Sequence, residues 1–208
     1  MHLLDYYWYF TKALPVGLCN KILKLGKSKK AKQAFVEETK EDQLLNKQEM
    51  ETLKVKRNSK VVWLDEPWIY KAIQPFIHTA NRNAGWNFEW DWSEPAQFTF
   101  YKKGMHYNWH TDSMPKPYEK GTSKGKIRKL TSVLVLSDPK EYQGGELEFQ
   151  FHAEDPQYNK KRTITVAKEV APKGSIIVFP SFVWHRVKPV TKGVRYSMPT
   201  WHLGYPFR

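Results

Sequence analysis

Two stretches in the first third of the chain carry apolar residues at helical spacing. Leu18, Ile22, Leu23 and Leu25 fall on one face after Pro15, and Gly26 can stop that helix. Ile69, Ile73, Phe76, Ile77 and Ala80 recur in the same way, with Pro67 in the first turn and Gly85 just beyond the end, which predicts a helix over Pro67–Ala84. The segment between them, Lys27–Lys60, is charged and reads as a loop with a short helix near Gln43–Val55. After Trp86 the pattern shortens, with β-branched and aromatic runs separated by turn residues. It predicts strands at Ala96–Tyr101, Tyr107–Asp112, Lys129–Leu136, Glu146–Phe151, Arg162–Val166, Ser175–Phe179, His185–Val190 and Val194–Trp201. Ser113–Ile127, with its prolines, glycines and lysines, reads as a flexible loop. Many short strands without intervening helices predict a mainly β fold, a jelly roll with an N-terminal helical layer. The 208 residues suit one domain, with 1–90 mainly helical and 91–208 forming the core.

Composition narrows the class. A hydrophobic fraction of 40% with 15% aromatic residues is too rich for a disordered chain. No apolar run approaches the ~18 residues of a membrane span, so no membrane association is expected. Met1–Phe10 lacks a basic leader and a small-residue cleavage site, so no secretory signal is expected. Cys19 is the only cysteine, which excludes an intramolecular disulfide and favours a reducing, cytoplasmic setting. The formal charge of +13 is compatible with nucleic acid, an acidic partner or simply a solvated lysine-rich surface. Basic residues outnumber acidic ones between Lys12 and Lys60, and Lys116, Lys120, Lys124, Lys126, Arg128 and Lys129 form a second cluster.

The first chemical signal is His110-Thr111-Asp112. On a strand, residues i and i+2 share a face about 6.6 Å apart, so an imidazole and a carboxylate can converge on one ion. His185 offers a third ligand from a later strand. Two histidines and a carboxylate form the facial triad of non-haem Fe(II) oxygenases, although three-ligand zinc sites use similar atoms. Thr191-Lys192-Gly193 suits a three-residue hairpin loop. That register puts Arg195 opposite Pro189 and turns His185, Val187, Arg195, Ser197, Pro199 and Trp201 inward. An extended dicarboxylate could then chelate the metal at one end and meet the Arg195 fork at the other, with Ser197 as a second donor.

These residues resemble the Fe(II)- and 2-oxoglutarate-dependent dioxygenases of the prolyl 4-hydroxylase-like branch. The ordered matches are Tyr101-Lys102-Lys103-Gly104 before His110-Thr111-Asp112, then Arg128 through Leu136, then Gly144-Gly145-Glu146-Leu147. Lys173-Gly174-Ser175, Phe179-Pro180-Ser181, His185, Gly193-x-Arg195-x-Ser197 and Trp201 follow. The match is strongest over Arg57–Arg208, and Phe10 with Leu14–Gly26 resembles the family's first strand and helix.

The resemblance implies a double-stranded β-helix core, Fe(II) on His110, Asp112 and His185, and 2-oxoglutarate on Arg195 with Tyr101 and Ser197. It implies O2 as co-substrate, ascorbate as reductant, and succinate and CO2 as products. Related halogenases lack the carboxylate ligand, so Asp112 points to hydroxylation. Arg128 and Trp201 match positions near the substrate, and the loop after Asp112 matches a segment that covers it. The favoured substrate is a prolyl residue in a protein or peptide. Trp109, Trp184, Trp201, Tyr107 and Tyr118 are candidates to line a groove for a proline-rich chain. Alternatives are an alkylated-base nucleic-acid dioxygenase, a free amino-acid hydroxylase, and a jelly-roll binding protein without turnover. The nucleic-acid enzymes usually carry a second arginine six residues after the 2-oxoglutarate arginine, where this chain has Trp201.

Overall fold

The computed structural model describes residues 5–34, 53–113, 116–151 and 164–207. Helix α1, Val16–Ser28, buries Cys19, Ile22 and Gly26; Gly26 does not stop the helix as expected but lets it pack against the Phe98 ring. Helix α2, Pro67–Asn83, buries Ile69, Ile73, Ile77 and Ala80, the apolar stripe seen in the sequence. It ends where Ala84 N–H donates to the Ala80 carbonyl and Gly85 takes up a left-handed conformation (φ +69°).

The strands are β1 (Trp8–Phe10), β2 (Lys32–Ala34), β3 (Arg57–Leu64), β4 (Trp92–Ser93), β5 (Ala96–Lys102), β6 (His106–His110) and β7 (Ile127–Val135). They continue with β8 (Tyr142–Gly144), β9 (Leu147–Gln150), β10 (Ile164–Val166), β11 (Ile176–Pro180), β12 (Trp184–Val187) and β13 (Val190–Gly204). They hydrogen-bond in the order β1-β11-β7-β13-β5-β3-β6-β12-β9-β10, with β2 on β3 and both β4 and β8 on β13. Pairing is antiparallel. β3 turns the sheet into two layers: Arg57 and Asn58 pair with β6, while Lys60–Leu64 pair with β5. One core lies under the helices, around Ile22, Leu64, Ile73, Phe98, Leu134 and Met198. A second lies between the layers, around Tyr101, Val133, Phe149, Ile177, Phe179 and Val187. The fold is the mainly β jelly roll with helices expected from the pattern.

Three further local expectations are corrected. The loop expected over Lys27–Lys60 holds β2 and the start of β3. Arg57 and Ser59 of β3 are buried there despite the flanking lysines, as are Val61 and Val62 just beyond. Of the short helix expected near Gln43–Val55, residues 53–55 fall in a helical turn at 53–56, and the remainder lies outside the described residues. The Thr191–Gly193 hairpin does not form: β13 runs unbroken from Val190 to Gly204, and Arg195 pairs with Tyr101 rather than Pro189. Gly193 does have positive φ (+74°), but it serves an irregularity against β8, where the Glu141 carbonyl packs so closely that a Cβ would collide with it. The 3-residue strands β1 and β8 and the 2-residue β4 carry too little pattern to be read. No helix among the described residues is long and apolar enough to cross a membrane.

Candidate active site

His110 and His185 are direct partners across the β6–β12 ladder, with ring centroids 4.1 Å apart. Each ring turns Nδ1 toward a carbonyl of its own strand region: His110 to Asn108 O at 2.7 Å, His185 to Val183 O at 2.9 Å. A carbonyl only accepts, so Nδ1 carries a proton and Nε2 is the nitrogen left to ligate. Both Nε2 atoms face Asp112, at 3.7 Å from Oδ1 for His110 and 3.4 Å from Oδ2 for His185. One ligand atom from each residue lies within 4.8 Å of the others. Asp112 is not placed by strand alternation as expected, because β6 ends at His110. Its N–H and that of Ser113 instead donate to Ser181 O, at 2.8 and 2.9 Å.

The electrostatics suit a cation. Burial, then the nearby His185, holds His110 well below the ordinary imidazole value and keeps it neutral. Burial pushes the Asp112 carboxyl upward, but His185, His110, Arg128 and the Thr131 hydrogen bond outweigh it and keep the group ionised. Two imidazole nitrogens and one carboxylate oxygen form a donor set for a divalent first-row metal.

The three residues line one pocket together with Tyr101, Arg195, Ser197 and Trp201. Arg195 is 4% exposed; its Nη1 donates to Ser197 Oγ at 3.0 Å, and among the described residues no carboxylate pairs with it. A buried guanidinium in that condition fits an incoming carboxylate. Tyr101 lies under it, 5.7 Å from guanidinium to ring, and burial pushes its phenol up, so it stays a donor. Alternation along β13 puts Arg195, Ser197, Pro199 and Trp201 on the pocket side, the face expected from a hairpin that does not exist.

Arg128 does not line the pocket. It forks onto Glu94, with Nε–Oε1 2.7 Å and Nη2–Oε2 2.6 Å, and lies 4.0 Å over the Trp201 ring. Tyr118, from the loop after Asp112, donates to the same Glu94 at 2.7 Å. Trp201 is buried, and its Nε1 has no partner among the described residues. Tyr107 lines the pocket; Trp109 and Trp184 do not, and Trp109 carries Arg186 at 4.6 Å instead. In the second basic cluster, Lys126 pairs with Asp91 at 2.7 Å, while Lys116, Lys120 and Lys124 are exposed.

Several pocket residues were missed. Arg57 is buried and donates to Ser59 Oγ (2.9 Å) and Gln97 Oε1 (2.6 Å). It covers the ring of Tyr107, which stacks on His110 at 3.5 Å and 9°, and burial pushes the Tyr107 phenol up to about 12. Thr131 donates to Asp112. Arg57 sat inside a lysine run, and a polar residue facing a cavity from mid-strand leaves no mark in a single sequence.

A model of the 2OG-Fe(II) oxygenase superfamily matches residues 96–203. A PKHD-type hydroxylase of Pseudomonas fluorescens is 31% identical over 107 residues, covering 51% of this chain and 42% of the relative. PKHD-type hydroxylase PiuC of Pseudomonas aeruginosa is 30% identical over the same length and coverage. The chain thus spans less than half the length of the curated relatives it matches. Among solved structures, a Pseudomonas putida prolyl-4-hydroxylase superposes with TM-score 0.66 at 18% identity, over 96% of this chain and 93% of that one. A viral collagen prolyl hydroxylase from Paramecium Bursaria Chlorella virus-1 gives 0.63 at 18%, over 97% of both. A Trichoplax adhaerens prolyl hydroxylase in complex with a hypoxia inducible factor peptide gives 0.64 at 16%, over 96% and 84%. These likenesses carry the fold, and the family match covers the strands that bring His110, Asp112, His185 and Arg195 to one pocket: the chain belongs to the 2OG-Fe(II) oxygenase superfamily.

Proposed function

We propose that the chain is an Fe(II)- and 2-oxoglutarate-dependent hydroxylase of prolyl residues in a protein or peptide. Residues 1–208 act as one dioxygenase domain, with 1–90 supporting the catalytic 91–208. The observation that carries this reading is a buried His-Asp-His cluster sharing a pocket with a buried arginine that has no acidic partner among the described residues.

His110, Asp112 and His185 hold the iron, and Arg195 takes the distal carboxylate of 2-oxoglutarate with Tyr101 and Ser197 as further donors. When bound, iron and 2-oxoglutarate together reduce O2, giving succinate and CO2 and oxidising a substrate C–H to an alcohol. The protein's own part is orientation and shielding. The Asn108 and Val183 carbonyls fix the two imidazoles, and the apolar walls Val133, Leu147 and Val187 exclude water. Arg128 and Trp201 stand at the substrate side, held as a stacked pair by Glu94. Prolyl specificity is supported by the fold neighbours, which are a prolyl-4-hydroxylase, a collagen prolyl hydroxylase and a prolyl hydroxylase in complex with a hypoxia inducible factor peptide. Ascorbate serves as reductant, and the cytoplasm, with Cys19 reduced, as location.

The test is incubation with Fe(II), ascorbate, 2-oxoglutarate and proline-rich peptides, reading succinate release and peptide mass. The expected result is peptide-dependent succinate with one oxygen gained at proline, abolished in folded His110→Ala and His185→Ala. Full turnover in either variant overturns the metal assignment. Oxygen gained only by oligonucleotides or free amino acids overturns the substrate assignment.

A further inference from the structure

Asp112 is the one member of the triad that its strand does not hold, since β6 stops at His110. The terminal torsion of an aspartate is broad and roughly two-fold, so backbone position alone leaves the carboxylate plane free to turn. A hydroxyl stops that turning: Thr131 Oγ1 donates to Asp112 Oδ2 at 2.8 Å. Thr131 has a single hydroxyl proton, and Oδ2 takes it. Ser181 Oγ, 3.0 Å from Thr131 Oγ1, therefore gives its own proton to Thr131. The result is a one-way chain of donors, Ser181 to Thr131 to Asp112. Thr131 and Ser181 are 1% and 0% exposed, so bulk water does not compete.

The anchor is stiff at both ends. The Ser181 carbonyl holds the main chain of Asp112 and Ser113, and its N–H donates to Lys129 O at 2.9 Å. Thr131 is β-branched and lies inside β7, paired with Phe179 on one side and Trp201 on the other, which restricts its χ1.

We propose that Thr131 is a positioning residue that keeps Asp112 a one-oxygen ligand. Committing Oδ2 to a hydroxyl leaves Oδ1 for the ion. Oδ2 lies 3.4 Å from His185 Nε2, close enough to swing onto the same ion once released. A carboxylate giving both oxygens occupies a position that the co-substrate or oxygen needs. With one oxygen and two imidazoles bound, three of six octahedral positions stay open. The inference rests on the metal-ligand reading above.

The experiment loads the full chain with Mn(II) and counts solvent positions on the ion by water-proton relaxation. Thr131→Val, near-isosteric and without a donor, is expected to lower the bound-water relaxivity by about a third, three positions becoming two. Its peptide-coupled turnover is expected to fall roughly 10- to 100-fold. Thr131→Ser is expected to retain wild-type values for both. A merely structural role predicts a lower Tm with the relaxivity of the folded protein unchanged, and that result overturns the inference alone. Should Thr131→Val fail to fold, Thr131→Cys, of similar size and a weak donor, carries the same expectation and the same refutation. A wild-type chain that takes up no Mn(II), or takes it up equally after His110→Ala, overturns the triad reading and this inference with it.

Discussion

Replacing Arg195 by methionine keeps an apolar stem of similar length and deletes a charge and five N–H donors. Two effects then separate. In the free protein the guanidinium is 4% exposed with Ser197 as its hydrogen-bond partner, so deleting it removes a buried cation that has no carboxylate partner among the described residues, and stability is expected to hold or rise. For 2-oxoglutarate the same change removes a two-pronged, charge-assisted contact. Hydrogen bonds to charged groups are worth about 1.5–3 kcal/mol each. The pair therefore amounts to about 3–6 kcal/mol, or roughly a hundredfold to some ten-thousandfold in Kd. Two measurements check it. The 2-oxoglutarate dependence of succinate formation gives the KM change. Thermal unfolding of the Mn(II)-loaded protein gives a second readout, because ligand at 100 Kd stabilises by about 2.7 kcal/mol. For a domain of this size that is a Tm rise of roughly 5–10 °C, present in the wild type and absent in Arg195→Met. Arg195→Lys, which keeps charge without the planar fork, should fall between them. An Arg195→Met protein with unchanged KM and an intact 2-oxoglutarate Tm shift would place the distal anchor elsewhere.

Other outcomes are equally specific. Arg128→Ala leaves Glu94 without its fork and Trp201 without its cover, and is expected to lower peptide hydroxylation far more than peptide-independent 2-oxoglutarate turnover; equal losses would assign Arg128 to the co-substrate instead. His202 sits between Ser93 and Ser132 (2.9 and 3.0 Å), and burial, then the nearby His78, pushes it down to about 3. Because its folded value lies below its unfolded one, the neutral form stabilises the fold at neutral pH, and that contribution is lost as pH falls from about 6.5 toward 3. At about 1.4 kcal/mol per unit, His202 contributes roughly 3 kcal/mol of lost stability between pH 7 and pH 4.5. Urea unfolding of wild type and His202→Gln at both pH values checks this; identical slopes refute it. Gly26→Ala places a methyl 2.5–2.6 Å from ring carbons of Phe98, so α1 must lift, and a loss of about 1–3 kcal/mol is expected by thermal unfolding. A neutral result would mean that the Phe98 ring gives way freely.

Much of the chemistry was legible because its parts are residue types with few other uses in such order. His110, Asp112 and His185 stand out by type and order alone, whereas Arg195 was reached through a hairpin register that the structure replaces while keeping the same inward face. The helices were legible for another reason: Ile69, Ile73 and Ile77 repeat often enough to fix a face. The strand connections were not. Thr191-Lys192-Gly193 has the chemistry of a tight turn, but the long-range pairings of Arg195 with Tyr101 and Ser197 with Val135 hold that segment extended, and local turn preference is the weaker effect. β3 was hidden because lysines surround it, although Ser59, Val61 and Val62 are buried. Thr131, Arg57 and Glu94 were invisible for a third reason. Their importance lies in one partner each, and partners far apart in sequence are set by topology.

β13 is a shared wall. Arg195, Ser197, Pro199 and Trp201 look into the pocket from it, while Met198, Thr200 and His202 alternate with them and are buried. Adding or removing a single residue within that run would exchange the two sets, sending the guanidinium into the helical side and a methionine to the reacting atoms. Reagent binding and core integrity would vanish in one step. A change of identity in the wall is felt at one position, whereas a change of length is felt at every position after it. Any lengthening of this chain has to be absorbed elsewhere, as at the exposed tip 119–122, beyond the main-chain hydrogen bonds that join Tyr118 to Gly125 and Lys126.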